Sequence, residues 1–332
     1  VIFHPSVIAL LSGSLLNTVL FAYAAVFAWK IMRSWDLASG SELQVSLERR
    51  TYLISAIIAI CLVFQVISLF LFIHTTDSLC TLFPGAMCAA GTLNLNHFGY
   101  PVLLLKLVNA LIAGIWLIVN HADSRGYDYP LIRVKYRMLL AMLPFVVAES
   151  LLMALYFFSL HPQVITSCCG SLFSSVSGNR APLISMIPII PLLAAMFAAM
   201  TASVLLGARY LRQDSGGYLF TASSAVSLVL GAVSLVISIP VYVYAMPAHH
   251  CPFCMLHREY HFVGYLFYAA LLGGGVTGLG VGALQPFRRG ESLASALPAI
   301  QRRLVIAAMV LYSLFAVAAA CQVLLSDLRI GS

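Results

Sequence analysis

Apolar residues fill eight runs, roughly 7–32, 51–74, 99–120, 138–160, 183–208, 218–246, 262–284 and 304–325, separated by short polar connections. Each run is about as long as the roughly 20 residues that cross a bilayer as a helix. None alternates with the period of two that a membrane strand would show, so helices are predicted and a closed barrel is not. The predicted fold is all-α: a polytopic membrane helical bundle of about eight transmembrane helices, forming one integral membrane domain over 1–332. The first run lacks a basic leader region and a small-residue cleavage site, so it reads as a helix rather than a signal peptide.

The polar residues orient that bundle. Lys30, Arg33, Arg49 and Arg50 fall in the first connection, and Arg125, Arg133, Lys135 and Arg137 in the third. Arg209 and Arg212 fall in the fifth, and Arg288, Arg289, Arg302 and Arg303 in the seventh. Fourteen of the eighteen Lys and Arg residues thus lie on one side, which the positive-inside rule makes cytoplasmic and which puts both termini in the exoplasm. The formal net charge of +7 is then a topology signal and requires no nucleic-acid partner. The remaining composition, 61% hydrophobic and 9% charged, excludes an ordinary soluble domain. The setting expected is a bacterial inner membrane, with loops 75–98, 161–182 and 247–261 facing the periplasm.

Those three loops hold six of the eight cysteines: Cys80 and Cys88, Cys168 and Cys169, Cys251 and Cys254. Cys61 and Cys321 lie within helices and read as small buried hydrophobes. Cysteines gathered on an oxidising face are what disulfide chemistry produces. Cys80 with Cys88 suits either a structural bridge or an exchanging pair. Adjacent Cys168 and Cys169 would close a strained ring, so they are expected to pair elsewhere, to exchange or to bind metal.

The segment from His249 to His261, HHCPFCMLHREYH, concentrates the chemistry. Cys251 and Cys254 close too short a loop for a bridge to remove much chain entropy. They read better as a dithiol, with His250, His257 and Arg258 placed to stabilise a thiolate. The alternative is a soft-metal site, copper or zinc, drawn from His249, His250, Cys251, Cys254, His257 and His261. Covalent haem would need a histidine directly after Cys254, where Met255 stands, although surface contact of these histidines with haem stays open.

The loop CTLFPGAMC, Cys80 to Cys88, is followed by HFGYPVLLL at the start of the third run. Together with the later C-x-x-C, this resembles the vitamin K epoxide reductase family and the DsbB-like membrane thiol oxidoreductases. The resemblance implies that Cys80 and Cys88 exchange with a protein or soluble thiol and pass electrons to Cys251 and Cys254, which reduce a quinone.

Two charges interrupt the runs, Lys106 in the third and Glu149 in the fourth. An intramembrane charge costs about 2.5–3.5 kcal/mol on insertion scales, so each is expected to face the interior. Their depths in antiparallel neighbours permit an ion pair, which Gln65 and Asn109 could extend. Its role is structural, or else a proton path or the polar end of a quinone cavity. Gly274, Gly278 and Gly282 form a small-residue stripe for close helix contact, and Pro188, Pro191 and Pro240 are expected to kink the fifth and sixth helices. No nucleotide-binding motif occurs, so no nucleotide cofactor is expected. The expected partners are the lipid bilayer, a periplasmic redox protein or metal carrier, and other membrane subunits. Three functions follow: thiol–disulfide redox coupled to quinone, metal or haem handling at the outer face, or a membrane subunit of an electron-transfer or transport complex.

Overall fold

The computed structural model describes residues 1–35, 41–126, 129–161, 188–246, 249–288 and 291–326. Among them there is no strand, and eight helices are long and apolar enough to cross a membrane. They are α1 (Pro5–Ser34), α2 (Glu42–Ser78), α4 (Gly99–Asp123), α5 (Ile132–Phe158), α6 (Ile189–Gln213), α7 (Gly217–Ile237), α9 (Val263–Leu284) and α10 (Leu297–Leu325). The short helices α3 (Ala89–Leu93) and α8 (Ile239–Tyr244) complete the set among the described residues. Even the 21 residues of α7 extend about 31 Å at ~1.5 Å per residue, matching the ~30 Å thickness of the hydrocarbon core.

The chain divides into two compact units. One comprises Val1–Leu79, Leu95–Pro162 and Pro286–Ile300; the other comprises Cys80–Asn94, Gln163–Gln285 and Gln301–Ser332. In the first, α1, α2, α4 and α5 pack around Phe21, Ile58, Leu62, Trp116, Tyr136 and Leu139, all buried. In the second, α7 lies between α6 and α9, and the core is built on Met196, Phe220, Phe267, Tyr312 and Phe315. The opposite faces carry exposed apolar side chains such as Leu15, Val19, Leu205, Val229 and Val317. On spanning helices these side chains meet lipid, so their exposure is the expected solvation rather than an unpaired surface.

The glycine stripe acts through proximity. A Cβ on Gly278 would lie 2.5 Å from the Ser224 side chain, and one on Gly282 would lie 2.5 Å from Thr221, so α7 and α9 approach as closely as they do only because both positions lack one.

Three expectations change. Helix α2 begins at Glu42, well before the apolar run, because Ser41 caps it by accepting from the Gln44 amide and Gln44 donates to Glu48 one turn on. Arg49 and Arg50 are therefore helical. Pro188 is the N-cap of α6 and Pro191 lies in its first turn, where no intrahelical donor is lost, so neither kinks it. Pro240 does interrupt the sixth span: α7 ends at Ile237 and α8 restarts with the proline in its first turn. Lys135, counted above only as a topology charge, is buried and ion-paired at 2.6 Å to Asp123, whose other oxygen accepts from the Leu131 amide.

Candidate functional site

The second unit contains a cluster of three thiols. Past the 3-10 turn Leu79–Leu82, which carries half-buried Cys80, the chain folds back through Gly85 at φ 83°, the left-handed region that glycine adopts without strain. It then enters α3 with Cys88 as N-cap. The cap residue is extended at φ −160° and makes no side-chain cap bond, which leaves its sulfur directed elsewhere. That sulfur lies 3.3 Å from Sγ of Cys251, and with Sγ of Cys254 the three atoms lie within 4.8 Å of one another.

The CPFC turn is held from its backbone side. The Tyr244 hydroxyl, at the end of α8, donates to the Cys251 carbonyl at 2.6 Å, and the Tyr268 hydroxyl in α9 donates to the Pro252 carbonyl at 2.5 Å. The Leu256 amide donates to the Phe253 carbonyl and the His257 amide to the Cys254 carbonyl, winding a 3-10 turn over Cys254–Leu256. Met255 and Leu256 anchor this turn against Gly264, where a Cβ would lie 2.6 Å from the Met255 side chain. Phe253 is also buried, so the turn is fixed by packing as well as by hydrogen bonds.

Burial and hydrogen bonding act in opposite directions on the sulfurs. Cys88 is fully buried and Cys251 is 5% exposed, while Cys254 is half-buried. Hydrogen bonding from the Cys254 thiol, then from the Cys88 thiol, holds Cys251 well below the usual thiol range and outweighs its burial. Cys254 is pushed up by its hydrogen bonds, first to Cys251 and then to Cys88, with burial adding to them. The first proton leaves this cluster easily and the next is held. A buried group of three sulfurs with one ready thiolate can attack a disulfide, resolve one, or hold a soft metal.

The predicted residues are distributed as follows. Cys88, Cys251 and Cys254 come together, while Cys80 lies outside the three-sulfur group. His249, His250, His257 and His261 also lie outside it. His250 has Nδ1 3.0 Å from the Ile237 carbonyl, His249 stacks edge-on to Tyr244 at 4.5 Å, His257 faces Glu259 at 3.8 Å, and His261 is exposed. Burial, and then His250, lower the pKa of His249. Cys168 and Cys169 lie outside the described residues.

In the first unit, Lys106 and Glu149 meet at 2.8 Å, 1% and 2% exposed. Lys106 also donates to Ser68 at 3.1 Å, and Glu149 accepts from Asn109 at 2.6 Å and from Gln65 through a short contact. Asn17 extends the network by donating to Gln65 at 2.9 Å.

Sequence reasoning singled out the cysteines and the Lys106–Glu149 pair but not the two tyrosine clamps, Asn17 or Ser68. An aromatic hydroxyl buried at a helix end needs an acceptor, and Tyr244 and Tyr268 flanking a redox-type turn were the available signal. Compared with protein families, curated proteins and solved structures, the chain matches none.

Proposed function

We propose that this integral membrane protein is a thiol–disulfide oxidoreductase whose reacting centre is Cys88, Cys251 and Cys254. One observation carries the reading: a loop cysteine and the CPFC pair, 163 positions apart in sequence, converge with Cys88 Sγ 3.3 Å from Cys251 Sγ. Disulfide exchange needs three sulfurs, an attacking, a central and a leaving one. With Cys251 and Cys254 oxidised, the Cys88 thiolate attacks Sγ of Cys251. The Cys251–Cys254 bond breaks, the pair of electrons leaves on Cys254, and Cys254 takes up the proton that Cys88 gave up. Cys80, on the same loop as Cys88, then attacks Cys88 and releases Cys251. The sum moves two electrons and two protons from the Cys80/Cys88 dithiol to the Cys251/Cys254 pair, the direction that the resemblance to vitamin K epoxide reductases and DsbB-like proteins implies.

The acceptor that reoxidises Cys251 and Cys254 is a quinone, which takes the two electrons and two protons and becomes the quinol. The donor is an exoplasmic thiol protein. Charge asymmetry supports this orientation, with the cysteine loops and both termini on the periplasmic side of a bacterial inner membrane.

The test is anaerobic titration of the reduced protein in lipid nanodiscs with a short-chain quinone. The expected result is one quinol formed for each two thiols lost, and no quinol from a Cys251→Ser variant. An unchanged thiol count with both the quinone and oxidised glutathione would overturn the reading.

A further inference from the structure

The same three sulfurs have a capacity that does not depend on exchange chemistry. We propose that Cys88, Cys251 and Cys254, when reduced, form a three-coordinate thiolate site for one copper(I) ion. The donors are all soft, and soft sulfur selects Cu(I), zinc or iron–sulfur clusters from the biological metals. Coordination number then chooses among them. Structural zinc takes four ligands in a tetrahedron, but among the described residues no histidine or carboxylate joins the three sulfurs to supply a fourth. Copper(I) is satisfied by three.

The dimensions agree. Three sulfurs bound in a plane at a metal–sulfur distance of about 2.3 Å stand about 4 Å apart. The Cys88–Cys251 separation of 3.3 Å and the 4.8 Å limit on the whole group bracket that spacing, so shifts of well under an ångström per sulfur complete the triangle. The CPFC turn is already fixed by Tyr244 and Tyr268, and Cys88 is fixed at the start of α3, so little ordering remains to oppose binding. Burial of Cys88 and Cys251 keeps water and oxidant from the ion. Copper enters and leaves as Cu(I), so no electron moves. Each sulfur that binds as thiolate releases its proton to solvent, and affinity therefore falls as pH is lowered.

The experiment is anaerobic competition between the fully reduced, detergent-solubilised protein and a chromogenic copper(I) chelator, with X-ray absorption on the loaded sample. One equivalent of Cu(I) in an all-sulfur, three-coordinate shell is expected, and its loss in Cys88→Ser and in Cys254→Ser. A His249→Ala, His257→Ala, His261→Ala variant should keep the full equivalent. A thermal unfolding trace of each variant without metal separates lost binding from lost folding, and Cys88→Ala supplies a second substitution should Cys88→Ser fail to fold. Absence of uptake, nitrogen in the shell, loss of uptake in the histidine variant, or retention in a folded Cys88 variant would each overturn the proposal. The outcome is separable from the exchange reading. Copper uptake with no quinone-dependent thiol loss supports this site alone, and thiol loss without copper uptake supports exchange alone.

Discussion

The Lys106–Glu149 network and the three-thiol cluster are both polar groups buried in a largely apolar protein, yet they differ in what they leave available. Each Glu149 oxygen is already occupied: Lys106 serves one, and Gln65 and Asn109 serve the other. The charges cancel and the donors converge inward, which is how a bundle makes an intramembrane charge tolerable. The sulfurs, by contrast, are weak hydrogen-bonding groups with strong covalent and metal-binding chemistry. Their mutual contacts do not exhaust that chemistry. Partners on both Glu149 oxygens suit the first to scaffold, and nucleophiles in mutual contact suit the second to the proposed exchange.

Breaking the scaffold should have the largest effect. Lys106→Ala or Glu149→Ala leaves one buried charge without its partner, a loss of about 3–5 kcal/mol. A large drop in thermal midpoint is expected for either single variant, and substantial recovery in Lys106→Met, Glu149→Gln, which removes both charges and keeps an acceptor for Gln65 and Asn109. If the double variant is stable but no longer reduces quinone, the network belongs to the function after all.

The pH response is the next contrast. A thiol with an ordinary pKa of ~8.5 loses reactivity about tenfold per pH unit below that value. Cys251 is lowered, so its alkylation rate by iodoacetamide should stay flat as pH falls through neutrality, while Cys254, which is raised, stays slow throughout. For stability the sign is set by the same shift. The contribution of Cys251 is complete above the ordinary thiol pKa and is withdrawn as pH falls through its own lower value; the contribution of Cys254 has the opposite sign. Equal, parallel pH profiles at the two cysteines would show that hydrogen bonding within the cluster does not set Cys251 apart from Cys254.

The smallest effect is expected at the clamps. Tyr244→Phe and Tyr268→Phe each delete one hydrogen bond, worth about 1 kcal/mol net. A modest fall in midpoint should accompany a looser turn, read as a shift of the Cys251 alkylation profile towards an ordinary thiol. Loss of stability with an unchanged profile would make the tyrosines structural only.

The contrast also explains what the sequence could disclose. The spans were legible because hydropathy is local, and Lys106 with Glu149 was legible because depth in a helix follows from residue count. The start of α2 was not, since Leu43, Val45 and Leu47 alternate with polar residues over 42–50 and give no apolar run, and that helix depends on the Ser41 cap. The cysteine types were visible, but Cys88 reads along the chain as the neighbour of Cys80. Its approach to Cys251 depends on the loop folding back through Gly85 and on packing among distant elements, and no periodicity encodes that. The histidines that crowd CPFC in sequence illustrate the same limit, because adjacency along a turn did not place their nitrogens among the sulfurs.

The central claim is that Cys88 and Cys251 react with each other. It is tested most directly by oxidising a Cys80→Ala, Cys254→Ala variant mildly in membranes, digesting it without reduction and identifying crosslinked peptides by mass spectrometry. A disulfide joining the Cys88 and Cys251 peptides in near-stoichiometric yield is the expected result. Recovery of both peptides unlinked, with their thiols open to alkylation, would contradict the account.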